Sequence, residues 1–116
     1  MNYLIVLNDH PYESERNYSA LRLATALAAD EHNTIRLFLL GDAVFSAVGG
    51  LAVPEGKHDM EWMLQRFAAG DRRAAACRTC MEARGVLPSA LIDCAYQSTL
   101  EELTRWTAEA DRTLVF

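Results

Sequence analysis

The sequence predicts an α/β fold of three layers, α/β/α, with a five-stranded parallel sheet in the middle. Three observations predict it. Short apolar runs with the look of buried strands recur along the chain, beginning with "NYLIVLN" (Asn2–Asn8). Stretches of helical spacing lie between them. The resulting order is strand, helix, strand, helix, helix, strand, helix, strand, helix, strand. That alternation implies parallel strands with helices on both faces, joined by right-handed crossovers. The 116 residues read as a single domain, 1–116, without repeats, low-complexity tracts or linkers.

Each element has a local reason. After the first strand, "DHPYES" is a loop punctuated by Pro11, and Ser14 can cap a helix that starts near Glu15. In that helix Tyr18, Leu21, Ala24 or Thr25, and Ala28 share one face. "NTIRLFLL" (Asn33–Leu40) is the second strand. Gly41 ends it, Asp42 can cap a helix over "AVFSAVGG", and Gly49 and Gly50 stop that helix. "LAVPEGKHD" is a loop, Asp59 caps "MEWMLQRFAAG", and Gly70 closes it.

By propensity alone "RRAAACRTCMEAR" is one alanine-rich helix. Its position argues otherwise, because a helix has just ended and a strand is due. The third strand is therefore expected to run into Cys77. "RGVLPSALIDCA" (Arg84–Ala95) carries the next apolar run. "STLEELTRWTAEAD" is an amphipathic helix capped by Ser98 or Thr99, with Glu101 or Glu102 placed to complete a capping box. Its apolar line is Leu100, Leu103, Trp106 or Thr107, and Ala110. "RTLVF" is the terminal strand.

Composition excludes several functions. A net charge of −5 disfavours direct nucleic-acid binding and docking on anionic lipid. No segment has the roughly 18 unbroken apolar residues of a membrane helix. The N-terminus lacks a basic region and reads as a strand, not as a signal peptide, so a cytoplasmic location is expected. Three cysteines, an odd number, then suggest free thiols. There is no Gly-Lys-Ser/Thr phosphate loop and no G-x-G-x-x-G after the first strand. A nucleotide cofactor has no support, and none is expected.

Chemistry is expected at the carboxyl ends of the strands, where such sheets place their crevice. Cys77 falls where a strand meets a helix start, and a helix start carries roughly half a positive charge. That field lowers a thiol pKa, and Arg78 and Arg84 could add to it. Cys80 follows about one turn into the helix. Cys-x-x-Cys there is the arrangement of a thioredoxin-like redox pair. A structural zinc site would need about two more soft ligands, which no motif supplies. Free cysteines are also commonly small buried hydrophobes, which is the favoured reading of Cys94. His10, in the loop after the first strand, is a candidate acid/base or anion-holding group, set against an idle surface histidine. His32 and His58 look like surface residues. Asp42 is read as a cap, and Trp62 and Trp106 as core or interface.

The combination "NDHPYESE", "LRLATAL", "RLFLLGDAV", "CRTCMEARGV" and "TLEELTRWTAEADRTLVF", in this order over the whole chain, resembles the DsrE/DsrF-like family, and within it the small YchN-like branch. The resemblance implies a five-stranded parallel sheet between helical layers and homo-oligomers, trimers or hexamers. In sulfur-transferring members a cysteine lies eight residues before the glycine of an "RG" pair; here that glycine is Gly85 and the cysteine is Cys77. The resemblance implies that Cys77 carries a persulfide between sulfur-donor and sulfur-acceptor proteins. Such relays serve dissimilatory sulfur oxidation or the 2-thiouridine of transfer RNA. Cys80 is a candidate resolving thiol, and Arg78 and Arg84 candidate anion-stabilising groups. Two other functions stay open: a thiol–disulfide redox protein using Cys77 and Cys80, and a non-catalytic homo-oligomeric binding module. The apolar stretch "AVFSAVGGLAVP", with Trp62 and Met63, is the expected surface between subunits.

Overall fold

A computed structural model describes residues 1–116. The strands are β1 (Asn2–Leu7), β2 (Thr34–Leu39), β3 (Ala74–Cys77), β4 (Ala95–Ser98) and β5 (Arg112–Val115). The α-helices are α1 (Arg16–Ala28), α2 (Met60–Ala68), α3 (Arg78–Ala83) and α4 (Leu100–Glu109). A 3-10 helix, Gly41–Ala47, follows β2, and a shorter one, Pro88–Ala90, precedes β4. The strands form one parallel sheet of five in the order β4-β3-β2-β1-β5.

That order explains which helix covers which face. From β1 to β4 the chain steps steadily in one direction across the sheet. Right-handed crossovers therefore leave the intervening helices on a single face. From β4 to β5 it returns across β3, β2 and β1, so α4 must lie on the other face. Side-chain alternation agrees. Ile5, Leu7, Leu37, Leu39, Ala74 and Ala76 join Leu21 and Ala24 of α1, Leu64 and Phe67 of α2, and Met81 of α3 in one cluster. Leu4, Val6, Phe38, Ala75 and Cys77 point the other way and meet Trp106 of α4. The Phe38 and Trp106 rings pack edge to face, with centroids 6.1 Å apart.

The third strand is the place where position overrides propensity. Ala74, Ala75 and Ala76 are fully buried and pair with Leu37–Leu39 of β2 on one side and Ala95–Gln97 of β4 on the other. Two flanking strands satisfy their backbone groups, which outweighs the helix preference of alanine.

Five local expectations need correcting. The fourth strand is not the apolar run of Arg84–Ala95 but the short segment Ala95–Ser98 after it. Val86 and Ile92 enter the core from non-strand backbone, with the Ile92 N–H donating to Ala47 O at 2.9 Å. Asp42 is not a helix cap. The 3-10 helix begins without a side-chain cap, and the Asp42 carboxylate accepts from Arg84 Nε at 2.7 Å instead. The N-cap of α1 is Glu15; Ser14 stands one residue earlier, its Oγ accepting from Arg16 N–H. In α4 Thr99 caps, accepting from Glu102 N–H at 3.3 Å, while the Glu102 carboxylate turns to Ser98 and Tyr96 and leaves the capping box open. Leu100 does not join the apolar line of that helix, being 69% exposed. Asp59 does cap α2, accepting from Trp62 N–H.

The stretch from Ala43 to Pro54 divides in two. Ala43, Val44 and Ala47 are fully buried in this chain's own core. Leu51 and Val53 stay exposed in a loop without regular structure. No helix of the chain is long and apolar enough to cross a membrane.

Candidate functional site

The carboxyl ends of β1, β2 and β3 bring three loops together. After β1 come Asn8, Asp9 and His10; after β2, Gly41 and Asp42; after β3, the start of α3. Gly41 has φ +53°, and a Cβ there would stand 3.3 Å from Asn8 O and 3.8 Å from Arg84 Nη2. Glycine is thus what allows the β2 turn to lie between the β1 loop and the end of α3.

Cys77 is the last residue of β3 and the N-cap of α3, with extended backbone (φ −62°, ψ 120°). Its side chain shares the α4 face with Leu4, Val6, Phe38, Ala75 and Trp106, and the residue is 8% exposed. Burial pushes the Cys77 thiol up from its ordinary value. The backbone N–H groups of Cys80 and Thr79, aimed at the sulfur, pull the other way, and the Cys80 side chain, which also reaches it, adds to the upward shift. The expected lowering of the thiol pKa is therefore overturned. The physical reason is size: α3 has six residues, and the field of so short a helix does not offset desolvation.

Neither arginine is directed at the sulfur. Arg78 Nε donates to Glu82 Oε1 at 2.9 Å, one turn on, and both side chains are exposed. Arg84 is a brace. Its Nε reaches Asp42 Oδ1 at 2.7 Å and its Nη1 reaches Cys80 O at 3.1 Å, so it ties the cysteine-bearing helix to the turn after β2. His10 packs on Phe45, with centroids 5.4 Å apart, and its Nδ1 accepts from Tyr12 N–H at 3.2 Å. That bond assigns the neutral ring its Nε2–H tautomer, so His10 presents a donor and its accepting nitrogen is already occupied.

The loop carrying His10 is held firmly. Asp9 Oδ2 accepts from Ser14 Oγ–H at 2.7 Å, and Asn17 Nδ2 donates to Asp9 O at 2.7 Å and Ser46 Oγ at 2.9 Å. Asn17 is fully buried and its Oδ1 has no partner. This polar residue on the inner line of α1 was not singled out in the sequence, where the eye follows apolar spacing.

A second polar group lies beside Cys77. Ser98 of β4 stands opposite it in the strand register and so shares its face. Ser98 Oγ–H donates to Glu102 Oε1 at 2.7 Å, and the Tyr96 hydroxyl donates to the same oxygen. Burial, then the Glu102 carboxylate, push the Tyr96 phenol up. Cys94 is elsewhere. Its carbonyl accepts from Ala74 N–H at 2.9 Å, at the opposite end of β3 from Cys77, roughly 10 Å away at the rise of a strand. Burial pushes its thiol up too, and no neighbouring amide of another residue is aimed at it. No three His, Cys, Asp or Glu side chains gather as metal ligands.

With this geometry in place, the relatives decide the family. The model of the DsrE/DsrF-like family matches residues 1–116. The chain belongs to the DsrE/DsrF-like family. Within it, the chain is 40% identical to the protein YchN of Escherichia coli K12 over 114 residues, 97% of each chain. It is 33% identical to a protein of Methanopyrus kandleri over 113 residues, 97% of this chain and 91% of the other. The crystal structure of the Escherichia coli YchN protein superposes with a TM-score of 0.91 at 39% identity, covering 100% of this chain and 99% of that one. The five-stranded parallel sheet and its helices are thus those of a DsrE/DsrF-like, YchN-like protein.

Proposed function

We propose that this DsrE/DsrF-like protein is a sulfur-relay protein that holds sulfane sulfur as a persulfide on Cys77 and passes it to the thiol of a partner. The observation that carries this reading is the setting of Cys77. A thiol at the end of a central strand faces the backbone amides of Thr79 and Cys80. Those two N–H groups suit an anionic sulfur better than a neutral thiol.

The transfer balances without a cofactor. The Cys77 sulfur attacks the outer sulfur of a donor persulfide. A new S–S bond forms as the donor's S–S bond breaks, and the thiol proton of Cys77 ends on the departing donor sulfur. The second step reverses these roles, with the acceptor's thiolate attacking the outer sulfur and Cys77 leaving as the thiol. The raised thiol pKa has a use here, because a neutral Cys77 resists indiscriminate oxidants and alkylators until a donor engages it.

A second reading rests on Cys80, whose side chain reaches Cys77. Attack of Cys80 on the inner sulfur of the persulfide would release hydrosulfide and leave a Cys77–Cys80 disulfide. The protein would then act as a thiol–disulfide redox protein that needs an external reductant, such as a dithiol, to turn over.

One experiment separates them. Intact-mass spectrometry after exposure to polysulfide should show one added sulfur on the wild-type protein and on Cys80→Ser, and none on Cys77→Ser. Loss of two hydrogens with no retained sulfur in the wild type would favour the redox pair. Equal sulfur loading of Cys77→Ser would remove both readings.

Assembly belongs to the same proposal: a cytoplasmic homo-oligomer, trimer or hexamer, that meets sulfur-donor and sulfur-acceptor proteins. Its support is the apolar surface left open. Val115 of β5 pairs with Val6, so it lies on the α4 face beyond the reach of α4, and it is 67% exposed. Leu51, Val53 and Leu87 are exposed as well. Sedimentation of the wild-type protein should give a multiple of the 12.9 kDa chain mass, and a single 12.9 kDa species would overturn the assembly.

A further inference from the structure

A well-formed groove lies away from Cys77. It measures about 540 Å³ and runs between α1 and α2, lined by Tyr18, Arg22, His58, Trp62, Met63 and Arg66 among others. Both helices pack on the sheet face opposite the Cys77 side chain. The volume falls in the range of small-molecule sites, and so does the makeup, apolar walls with a few polar groups.

Three features specify an occupant. First, the walls offer flat surfaces. Tyr18 and His58 stack at 4.3 Å with ring planes 12° apart, and Trp62 is 55% exposed. The indole therefore offers an open flat face on the groove wall against which a planar ligand can stack. Second, the groove holds two arginines without a carboxylate. Five of the ten arginines of this chain are ion-paired, Arg16, Arg36, Arg78, Arg84 and Arg105, and of the five that are not, Arg22 and Arg66 share this groove. Arg22 and Arg66 instead lie over aromatic rings, Arg22 at 5.4 Å from the Tyr18 centroid and Arg66 at 5.5 Å from that of Trp62. In a chain of net charge −5, two unpaired guanidiniums in one groove make a local positive field. Third, the one acid on the wall, Asp59, is turned to the backbone, accepting from Trp62 N–H at the start of α2.

We propose that the α1–α2 groove binds a small planar aromatic anion. The ring lies against Trp62 and the Tyr18–His58 stack, and Arg22 and Arg66 take its carboxylate or phosphate. The site is independent of Cys77 and of any sulfur chemistry there.

Calorimetry on the full-length protein tests this with two acids, adenosine 5′-monophosphate and 2-naphthoate, and their neutral counterparts, adenosine and 2-naphthol. The expected result is a Kd below about 1 mM for one acid, with its neutral counterpart weaker by roughly tenfold or more. Which acid binds distinguishes a nucleotide from an aryl carboxylate. The pair R22A/R66A should weaken that acid by roughly tenfold or more, and Trp62→Ala should weaken acid and neutral counterpart alike. Cys77→Ser should leave binding unchanged. Thermal melts of the variants confirm that they are folded, since all three substituted side chains project from helix surfaces.

Any of three results overturns the proposal: no heat from either acid up to about 5 mM, equal binding of acid and neutral counterpart, or full binding by R22A/R66A. A fourth is that Trp62→Asp converts a larger assembly into single chains, which would show that a second copy of this chain covers the groove.

Discussion

The two faces of the sheet are built to different depths. On one, α1, α2, α3 and the first 3-10 helix help enclose a cluster of 20 buried residues. On the other, α4 stands alone over a cluster of six, with Trp106 as its only buried side chain. The deep face secures the fold. The shallow one holds Cys77, nearly buried yet next in sequence to the exposed Arg78 and Thr79. A thin layer allows a thiol to be desolvated and still lie next to the surface, which a position sunk beneath α1 and α2 would not permit.

The contrast is sharpest where large side chains are removed. Phe67→Ala, in the deep cluster, should cost about 4 kcal/mol and so threaten folding outright. Trp106→Ala should cost about 3 kcal/mol, because the ring is partly open to solvent but is the sole deep anchor of α4. Urea titration followed by circular dichroism measures both. A Trp106→Ala cost below about 1 kcal/mol would show that α4 is held by something other than this packing.

The same depth difference explains what could be read in the sequence. The strands of the deep face were legible as apolar runs, since buried parallel strands need little else. β3 was legible only by its turn in the order, because alanine carries no strand preference and its burial comes from β2 and β4. β4 was misplaced. Its residues, "AYQS", are half polar, while the apolar run before it fills the core from turns. The position of Cys77 at a strand–helix junction was legible from the order of the elements. The sign of its pKa shift was not, because desolvation depends on Phe38, Trp106 and Leu4, distant in sequence. The Asp42–Arg84 brace was hidden for the same reason, with 42 residues between its partners.

Cys77 itself gives the middle-sized effects. Cys77→Ser replaces a weakly polar sulfur with a hydroxyl against Val6, Phe38 and Trp106, and should cost about 1–2 kcal/mol. Cys77→Ala should cost less, so a serine variant more stable than the alanine one would mean that the pocket is wetter than the structure implies. The pH dependence has a definite sign. A thiol whose pKa is raised on folding contributes stability that is present at lower pH and is lost as pH rises through the folded value. Labelling of Cys77 by iodoacetamide should accordingly have its midpoint at higher pH in the native protein than in the urea-unfolded chain. A native midpoint below the unfolded one would restore the idea of an activated thiolate and undo the account of burial given above.

The smallest effect separates the brace from an ornament. Arg78–Glu82 and Arg84–Asp42 are both close ion pairs, at 2.9 and 2.7 Å. The first joins exposed side chains on one helix turn, and its removal should leave the melting temperature unchanged. The second is half-buried, adds a bond to Cys80 O, and spans two loops. Asp42→Asn should cost about 0.5–1 kcal/mol after allowing for solvent screening, less in high salt. It should also quicken alkylation of Cys77 at fixed pH, because a loosened α3 exposes the sulfur at its start. Arg78→Ala should not. If the two variants label at the same rate, Arg84 holds the fold but not the thiol, and the shielding of Cys77 belongs to α4 alone.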